Sequence, residues 1–347
     1  MDSGSYTAAT RLQAAGLRRA ITLFEKAAEA VPIPRPPHPV VIADYGASTG
    51  HNSLLPIAAA IAVLRKRTRP EHSVLVTHTD VPENDFTELF RTLSDDPDTY
   101  LKKDGACFAS AVGRSFYTQI VPSNSVNLAW SAWSIHWLAR TPMPVPDHVL
   151  VACSADEGVR AAYAKQSARD WHEFVAFRGR ELSPGGRLVV MTMAVADDGD
   201  FGYRPLLDAI MATLTELVEQ KSLTRDELSA MTIPIVGRRS TDFLSPFAPS
   251  GVFEKLSVEH LEVFDAEDRF WTQYRIDGKA RDLGARWAEF LRVSTFPVLA
   301  ATLPAERRAT FVAELTSGVA ERVAAVPAQV RIPMAQIVIE KKKRAHH

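Results

Sequence analysis

Residues 40–52 read VVIADYGASTGHN, a short apolar run followed by an acidic residue and two glycines. The run Val40–Ala43 is continuous and rich in β-branched side chains, which predicts a buried strand. Gly46 and Gly50 favour a sharp turn in which a ligand can approach the main chain closely. Helical spacing begins at His51, so the stretch predicts a strand, a ligand-binding turn and a helix.

The alternation of strands and helices continues along the chain. Apolar runs predict three more buried strands, and helical periodicity predicts helices before, between and after the strands. Such alternation predicts the α/β class, with a Rossmann-like parallel sheet that helices cover on both faces. The further strands are predicted at 73–76, 148–152 and 187–193, and the helices at about 11–31, 51–66, 84–93 and 159–182.

The pattern changes after Met193. Charged helical stretches follow, and a loop punctuated by prolines runs from Pro234 to Pro249. Because no clear strand pattern appears there, we expect an inserted, mainly helical substrate cap at 195–285. Residues 1–194 and 286–347 would then form the ligand-binding domain.

The composition excludes several classes of protein. The chain of 347 residues carries 40 basic and 41 acidic residues, a net charge of −1, which argues against a nucleic-acid partner. Its two cysteines, Cys107 and Cys153, are too few for a disulfide framework and belong to no zinc-binding motif. No apolar run reaches the roughly 18 residues of a membrane span, and no signal-peptide pattern opens the sequence. We expect a cytoplasmic protein that acts on a small molecule.

Two acidic residues at strand ends indicate the kind of ligand. The glycine spacing is not GxGxxG, and Asp44, at the end of the first strand, would repel a pyrophosphate. Asp80, at the end of the second strand, is placed to accept hydrogen bonds from ribose hydroxyls. An ammonium group and a ribose near these two carboxylates favour S-adenosylmethionine (SAM) over NAD.

Two other functions remain open at this point. Gly46–Gly50 also matches the GxSxG nucleophile elbow of α/β-hydrolases, with Ser48 as the nucleophile and His51 or His260 as the base. An esterase of this class requires an oxyanion loop earlier in the chain, and no such loop precedes this motif. A non-catalytic module that binds SAM or a nucleotide is the second alternative.

Short motifs that follow one another along the chain narrow the choice. They are Ser5-Tyr6 with Gln13, Ile42–Asn52, Asp80–Phe86, Arg114–Tyr117, Ser131–Leu138, Pro184–Val189 and Pro246–Ser250. In this order they resemble the SYxxNSxxQ, IADLGCSSGPN, DLPxNDF, GSFY, SSYSLxWL, PGGRMVL and PFYAPS motifs of the SABATH family of carboxyl and N-methyltransferases. The chain departs from the family at Tyr45 and Ala47, where the family has leucine and cysteine, and at Ala9-Thr10, where it has Asn-Ser.

The resemblance implies a SAM-dependent carboxyl O-methyltransferase. Such an enzyme converts the free carboxylate of a small hydrophobic acid to its methyl ester and releases S-adenosylhomocysteine (SAH). We expect a fatty acid as substrate, with a benzoate- or salicylate-type acid second. The resemblance also implies a homodimer, and a magnesium ion that is optional rather than required, with no metal ligand assigned.

The expected site residues come from both lines of reasoning. The strand and turn pattern indicates Asp44, Gly46 and Asp80 as cofactor-binding residues. The resemblance also implies Asp80 and adds further cofactor-binding residues, which are Tyr6, Asn52, Val81, Ser115 and Phe116. For the acid they are Gln13, Trp133, His136 and Trp137.

Gln13 and Trp137 are the implied catalytic residues. A carboxylic acid with a pKa of about 4 is ionised at pH 7, so methyl transfer to it requires no general base. The Gln13 amide and the Trp137 indole N–H would orient the carboxylate by donating hydrogen bonds to it. Trp130, Trp133 and Trp137 follow an i, i+3, i+7 spacing, which predicts that they share one face of a helix.

Overall fold

The computed structural model describes residues 3–343, and the side chains of residues 17–343. This part of the chain forms seven strands and twelve helices. The strands are β1 (Val40–Tyr45), β2 (Val74–Asp80), β3 (Cys107–Gly113), β4 (Val126–Ala132), β5 (Leu182–Met193), β6 (Leu256–Ala266) and β7 (Ile332–Lys341). The helices are α1 (Ser3–Ala30), α2 (His51–Arg65), α3 (Phe86–Asp95), α4 (Tyr100–Lys103), α5 (Glu157–Glu181), α6 (Arg204–Glu219), α7 (Arg225–Ala230), α8 (Ser240–Leu244), α9 (Arg269–Asp277), α10 (Ala280–Ser294), α11 (Phe296–Ala300) and α12 (Ala305–Ala325).

The strands form one sheet in the order β3-β2-β1-β4-β5-β7-β6. The first five are parallel, and β7 and β6 are antiparallel to their neighbours. The strand order reverses between β1 and β4, which opens a crevice at the carboxyl ends of the strands, where α/β proteins bind ligands. The predicted Rossmann-like α/β fold is confirmed.

The central strands of the sheet are buried on both faces, and β1 shows how. Val40 and Ile42 face a core that includes α1 and α2, whereas Ala43 and Tyr45 face a second core built on α5. Because both faces are covered, the strand reads as an unbroken apolar run rather than an alternating one. Each fully buried aliphatic side chain of this kind contributes about 1.5–3 kcal/mol.

A helical layer covers the carboxyl end of the sheet. Helix α12 packs against both α10 and α6, and α10 also contacts α1. Part of the layer therefore comes from residues beyond 285. Within 195–285, strand β6 pairs with β7 and extends the sheet, so this stretch is less helical than the sequence predicts.

Two local predictions are wrong. Residues 148–152 do not form a strand, because the Asp147 carboxylate accepts hydrogen bonds from the Ser154 hydroxyl and the Ala155 N–H (both 2.6 Å) and bends the segment into a turn. The three tryptophans share no helix: Trp130 lies in β4, and Trp133 leaves that strand with a φ of 56°. A short apolar run does not distinguish a strand from a buried helix. None of the helices that the structure describes has the length and hydropathy needed to cross a membrane.

Candidate active site

The turn after β1 is locked against the loop that follows β4. Gly46 has a φ of 82°, and a Cβ atom there would lie 2.1 Å from Ser134 Oγ. The Ser134 hydroxyl donates to the Gly46 carbonyl at 3.2 Å. Glycine is required at this position for its backbone conformation and for space. The two loops meet at the point where the strand order reverses.

Asp80 holds the same turn from the end of β2. Its two carboxylate oxygens accept the backbone N–H groups of Ser48 (2.7 Å) and Val81 (2.8 Å). Burial raises the pKa of Asp80, and the two N–H donors oppose that shift. Each oxygen keeps a lone pair, so the carboxylate can still accept hydrogen bonds from a ligand hydroxyl.

Asp44 lies beneath the turn, in a buried chain of hydrogen bonds. Its carboxylate accepts from His78 Nδ1 at 2.8 Å, and His78 Nε2 lies 2.9 Å from the Tyr100 hydroxyl. These contacts tie the ends of β1 and β2 together. The sequence predicts contact with a cofactor for Asp44, and the structure gives this carboxylate a structural partner as well.

Other predicted cofactor residues surround the turn. Asn52 lies in the first turn of α2 and makes no hydrogen bond with the described residues, and Val81 is 42% exposed beside Asp80. Phe116, in the loop after β3, reaches within 3.5 Å of the position a Gly46 Cβ would take. The buried Arg178 guanidinium donates to the Phe116 carbonyl at 2.8 Å and holds this loop. Ser115 precedes Phe116 and accepts from the Tyr117 N–H at 3.3 Å.

An apolar cavity of about 110 Å³ lies between the sheet and the helical layer. The loop after β4 supplies one wall, and α6, α10 and the segment around Ile233 supply the others. Its residues are Trp133, His136, Trp137, Leu150, Met193, Phe201, Tyr203, Leu206, Leu207, Ile210, Ile233, Ile235, Phe290, Leu291, Ser294 and Thr295. None of these side chains is an acid, a lysine or an arginine.

His136 is a neutral member of this wall. Burial, together with the positive charge of Arg238, lowers its pKa to about 3. Its Nδ1 lies 3.3 Å from the Thr192 hydroxyl. At neutral pH the ring therefore carries no charge into the cavity, and it is too weak a base to serve as a proton acceptor.

Three polar groups on the cavity lining have no hydrogen-bond partner among the described residues. The indole N–H of Trp133 and the hydroxyl of Tyr203 are buried and unpaired. The indole N–H of Trp137 likewise donates to none of the residues that the structure describes. An indole N–H can only donate, so the wall carries donors that suit an oxygen-bearing guest.

A family model described as SAM-dependent carboxyl methyltransferase matches residues 1–343. The chain belongs to this family. The resemblance to the SABATH methyltransferases is confirmed, and the protein is a SAM-dependent methyltransferase.

Curated relatives and a solved structure agree with this assignment. The chain is 26% identical to a salicylate carboxymethyltransferase of Clarkia breweri, over 75% of this chain and 74% of the relative. It is 27% identical to methyltransferase FUS9 of Gibberella moniliformis, over 77% and 69% of the two chains. A structure of loganic acid methyltransferase with SAH has a TM-score of 0.78 and 20% identity, covering 100% of this chain and 98% of that one. The similarity to the loganic acid methyltransferase structure supports the fold.

The geometry and the family do not favour the hydrolase alternative. His260 lies in β6, four strands away from β1 in the sheet order, and so cannot reach Ser48. The Ser48 N–H donates to Asp80, which makes Ser48 part of the turn beside the predicted cofactor-binding residues. Within the described part of the chain, no cluster of three or more His, Cys, Asp or Glu side chains could hold a metal ion.

The methyltransferase fold brings most of the predicted site residues to one edge of the sheet. Trp133, His136 and Trp137 line the cavity, and the cofactor residues surround the neighbouring turn. Tyr6 and Gln13 lie outside the residues whose side chains are described. Tyr45, one of the departures from the family, is buried with its hydroxyl donating to Glu181 at 2.6 Å, under the loop that carries Phe116.

The sequence reasoning missed three residues that hold the cavity loop from behind. Arg238 donates to the Ile135 carbonyl at 2.6 Å, and the Tyr117 hydroxyl donates to the Trp137 carbonyl. Asp170 accepts from the Ala139 N–H at 2.9 Å. The sequence offered one signal for these supports, an arginine directly after the apolar run 233–237. That signal does not reveal its partner, because Ile135 lies 103 positions away.

Proposed function

We propose that the protein transfers a methyl group from SAM to the free carboxylate of a small hydrophobic acid. A medium-chain fatty acid is the first candidate and a benzoate-type acid the second. The proposal rests on the apolar cavity, because the loop after β4 that forms one of its walls contacts the turn after β1 through Ser134, and because that wall carries unpaired N–H donors. The uncharged, largely apolar lining suits a guest whose single polar end is a carboxylate.

The residues around the turn fit SAM. The Asp80 carboxylate, with a lone pair left on each oxygen, suits the ribose hydroxyls, and Asn52 has a side chain free for the amino-acid end. Val81 and Phe116 offer apolar surface for the adenine ring. The glycine at position 46 lets a ligand lie against the main chain.

The cavity residues would orient the acid rather than remove a proton from it. When bound, SAM supplies an electrophilic methyl group on a positively charged sulfur. The acid is already ionised at pH 7, so the neutral His136 is not needed as a base. The Trp137 indole N–H, and by family resemblance the Gln13 amide, orient a carboxylate oxygen. Such alignment can contribute up to about 7–11 kcal/mol to barrier reduction.

The size of the cavity limits the acid. A cavity of about 110 Å³ is of the order of the roughly 150 Å³ cavity that binds benzene, so it suits the apolar part of a small acid. The phenyl ring of benzoate and the chain of octanoate are groups of about that size. The seven branched aliphatic side chains of the wall suit the flexible chain. Its six ring-bearing side chains, and the named substrates of the Clarkia breweri and Petunia hybrida relatives, favour the ring.

The experiment that tests the proposal is incubation of the protein with methyl-labelled SAM and a panel of free acids. The panel runs from hexanoate to dodecanoate and includes benzoate and salicylate, and mass spectrometry detects the methyl esters. We expect methyl esters of benzoate or of the fatty acids close to octanoate in length. Binding of SAM without methylation of any acid would contradict the proposal and favour the non-catalytic module.

Trp137→Phe tests the role of the indole donor. A hydrogen bond to a charged group contributes about 1.5–3 kcal/mol, so we expect kcat/KM to fall by about tenfold or more. Calorimetry should find SAM affinity unchanged. Trp271→Phe is the matched control, because Trp271 lies in α9 and does not line the cavity. Equal kcat/KM for the Trp137 variant and the control would remove Trp137 from the mechanism.

A further inference from the structure

A guanidinium lies directly behind the wall of the acid cavity. Arg238 is 2% exposed, and its two terminal nitrogens donate to the carbonyls of Ile135 (2.6 Å) and Ser167 (3.0 Å). Its Nε is buried without a partner among the described residues. Ile135 immediately precedes His136 in the loop that forms the cavity wall, so the charge lies one peptide unit behind the lining.

The charge of Arg238 is incompletely balanced. The titratable groups that act on it are Tyr117, Asp170 and Asp242, and its guanidinium carbon also lies 6.0 Å from the ring centre of the neutral Trp171. The Asp170 carboxylate accepts from the Ala139 N–H and the Gln166 amide, not from the guanidinium, and Asp242 is exposed on α8. Arginine keeps its proton inside proteins, and a buried charge without a close counter-charge is costly. A compensating anion is therefore expected nearby.

The cavity is where such an anion would bind. Its lining contains no cationic side chain, yet a carboxylate must leave water to enter it. The positive charge of Arg238 disfavours a proton on His136. By the same Coulomb interaction, that charge favours an anion placed beside His136.

We propose that Arg238 is a specificity-determining residue that selects ionised acids over neutral molecules of the same shape. It acts through space, from behind the peptide of Ile135 and His136, and it also positions the loop that carries Trp137. The inference rests on the proposed function, since it assumes that the guest of the cavity is a carboxylate. It adds a charge requirement that the uncharged donors Trp137 and Gln13 do not impose.

The test compares an acid with its neutral amide. The probes are octanoate and octanamide, or benzoate and benzamide if the acid panel favours the ring, titrated into the protein saturated with SAH. In Arg238→Met we expect the preference for the acid over the amide to fall by about tenfold, the effect of one charge acting across a partly polar interior. Arg238→Lys, which keeps the charge, should retain most of the preference.

Tyr117→Phe is the matched control for loop position. It removes a hydrogen bond to the same loop, at the Trp137 carbonyl, without removing a charge. We expect it to weaken acid and amide equally and so to leave their ratio unchanged. A ratio that falls equally in Tyr117→Phe and Arg238→Met would overturn the proposal, because the effect would then be loss of loop position.

Asp170→Asn provides a second measurement if Arg238→Met does not fold. Removing this negative charge beside Arg238 should strengthen acid binding relative to amide binding. An unchanged or reduced ratio would overturn the proposal. Failure of the proposed function looks different: no acid in the panel would be methylated by the wild-type protein, whatever the ratio of acid to amide binding.

Discussion

His136 shows what a single buried titratable group does to this protein. Its imidazole lies in the cavity wall, 3% exposed, between the rings of Trp133 and Trp137. Burial and the Arg238 charge lower its pKa to about 3, whereas an unfolded histidine has a pKa of about 6.5. Between these two pH values the unfolded chain binds a proton that the folded protein does not.

This difference makes stability depend on pH. Because the folded-state pKa is the lower one, the contribution of His136 is complete above about pH 6.5 and declines as the pH falls towards 3. From pH 7 to pH 5 the wild type should lose about 2 kcal/mol of unfolding free energy through this group. The unfolding free energy of His136→Gln should fall less than that of the wild type over this range, and the difference should be about 2 kcal/mol. Urea denaturation at the two pH values measures both losses.

The control for this prediction is His172→Gln, which removes an exposed histidine of α5. From pH 7 to pH 5 the unfolding free energy of this variant should fall by the same amount as that of the wild type. Parallel losses in the His136 variant and the wild type would mean that His136 accepts a proton in the folded protein.

At the scale of elements, the turn between β1 and α2 is the part that tolerates least change. Gly46→Ala adds a Cβ at a φ of 82° and drives it into Ser134. Gly251→Ala is the matched control, because Gly251 has a φ of 72° but open space around it. A left-handed backbone costs a non-glycine residue about 1–2 kcal/mol, and both variants incur that cost.

Only the Gly46 variant should also lose the site. The displaced Ser134 separates the loops after β1 and β4, so we expect Gly46→Ala to bind SAH at least about tenfold more weakly, by calorimetry, while Gly251→Ala binds it normally. If both variants bind SAH equally well, the contact between the two loops does not shape the cofactor site.

The elements that could be predicted from the sequence are those set by local patterns. The strand, glycine turn and helix at 40–65 follow from adjacent residues, and the Asp85 side chain caps α3 by accepting from the Glu88 N–H. The helical spacing of the tryptophans is misleading because burial on both faces of β4 removes the period-two signal that would mark Trp130 as a strand residue. The turn at 151–153 depends on Asp147, whose capping role no local apolar pattern indicates.

The supports of the site could not be predicted, because they depend on contacts between distant residues. Arg238 reaches Ile135 across 103 positions, and Arg178 reaches Phe116 across 62. A lone arginine in a sequence is normally a surface residue. Only the folded chain places these guanidiniums behind the two loops that form the candidate site.

At the scale of the whole molecule, the cavity exists because a sheet and a helical layer meet without filling the space between them. Helix α6 supplies both the lining and the packing. Ile210 is 1% exposed and lines the cavity, whereas Leu214, one turn further along the helix, is fully buried and does not line the cavity. Substitutions at these two residues therefore test the shape of the cavity and the stability of the helical layer independently.

Ile210→Ala and Leu214→Ala should each lower the unfolding free energy by about 2–5 kcal/mol. Only Ile210→Ala should also change the substrate, because it opens the cavity by about the three carbon atoms that the substitution removes. We expect its ratio of kcat/KM for a longer acid over a shorter one to rise by about tenfold, the effect of a methylene or two in an apolar pocket. The measurement is kcat/KM along the homologous series of the acid that the panel identifies. An equal shift in Leu214→Ala would mean that loosening of the helical layer, not the volume beside Ile210, sets the preference.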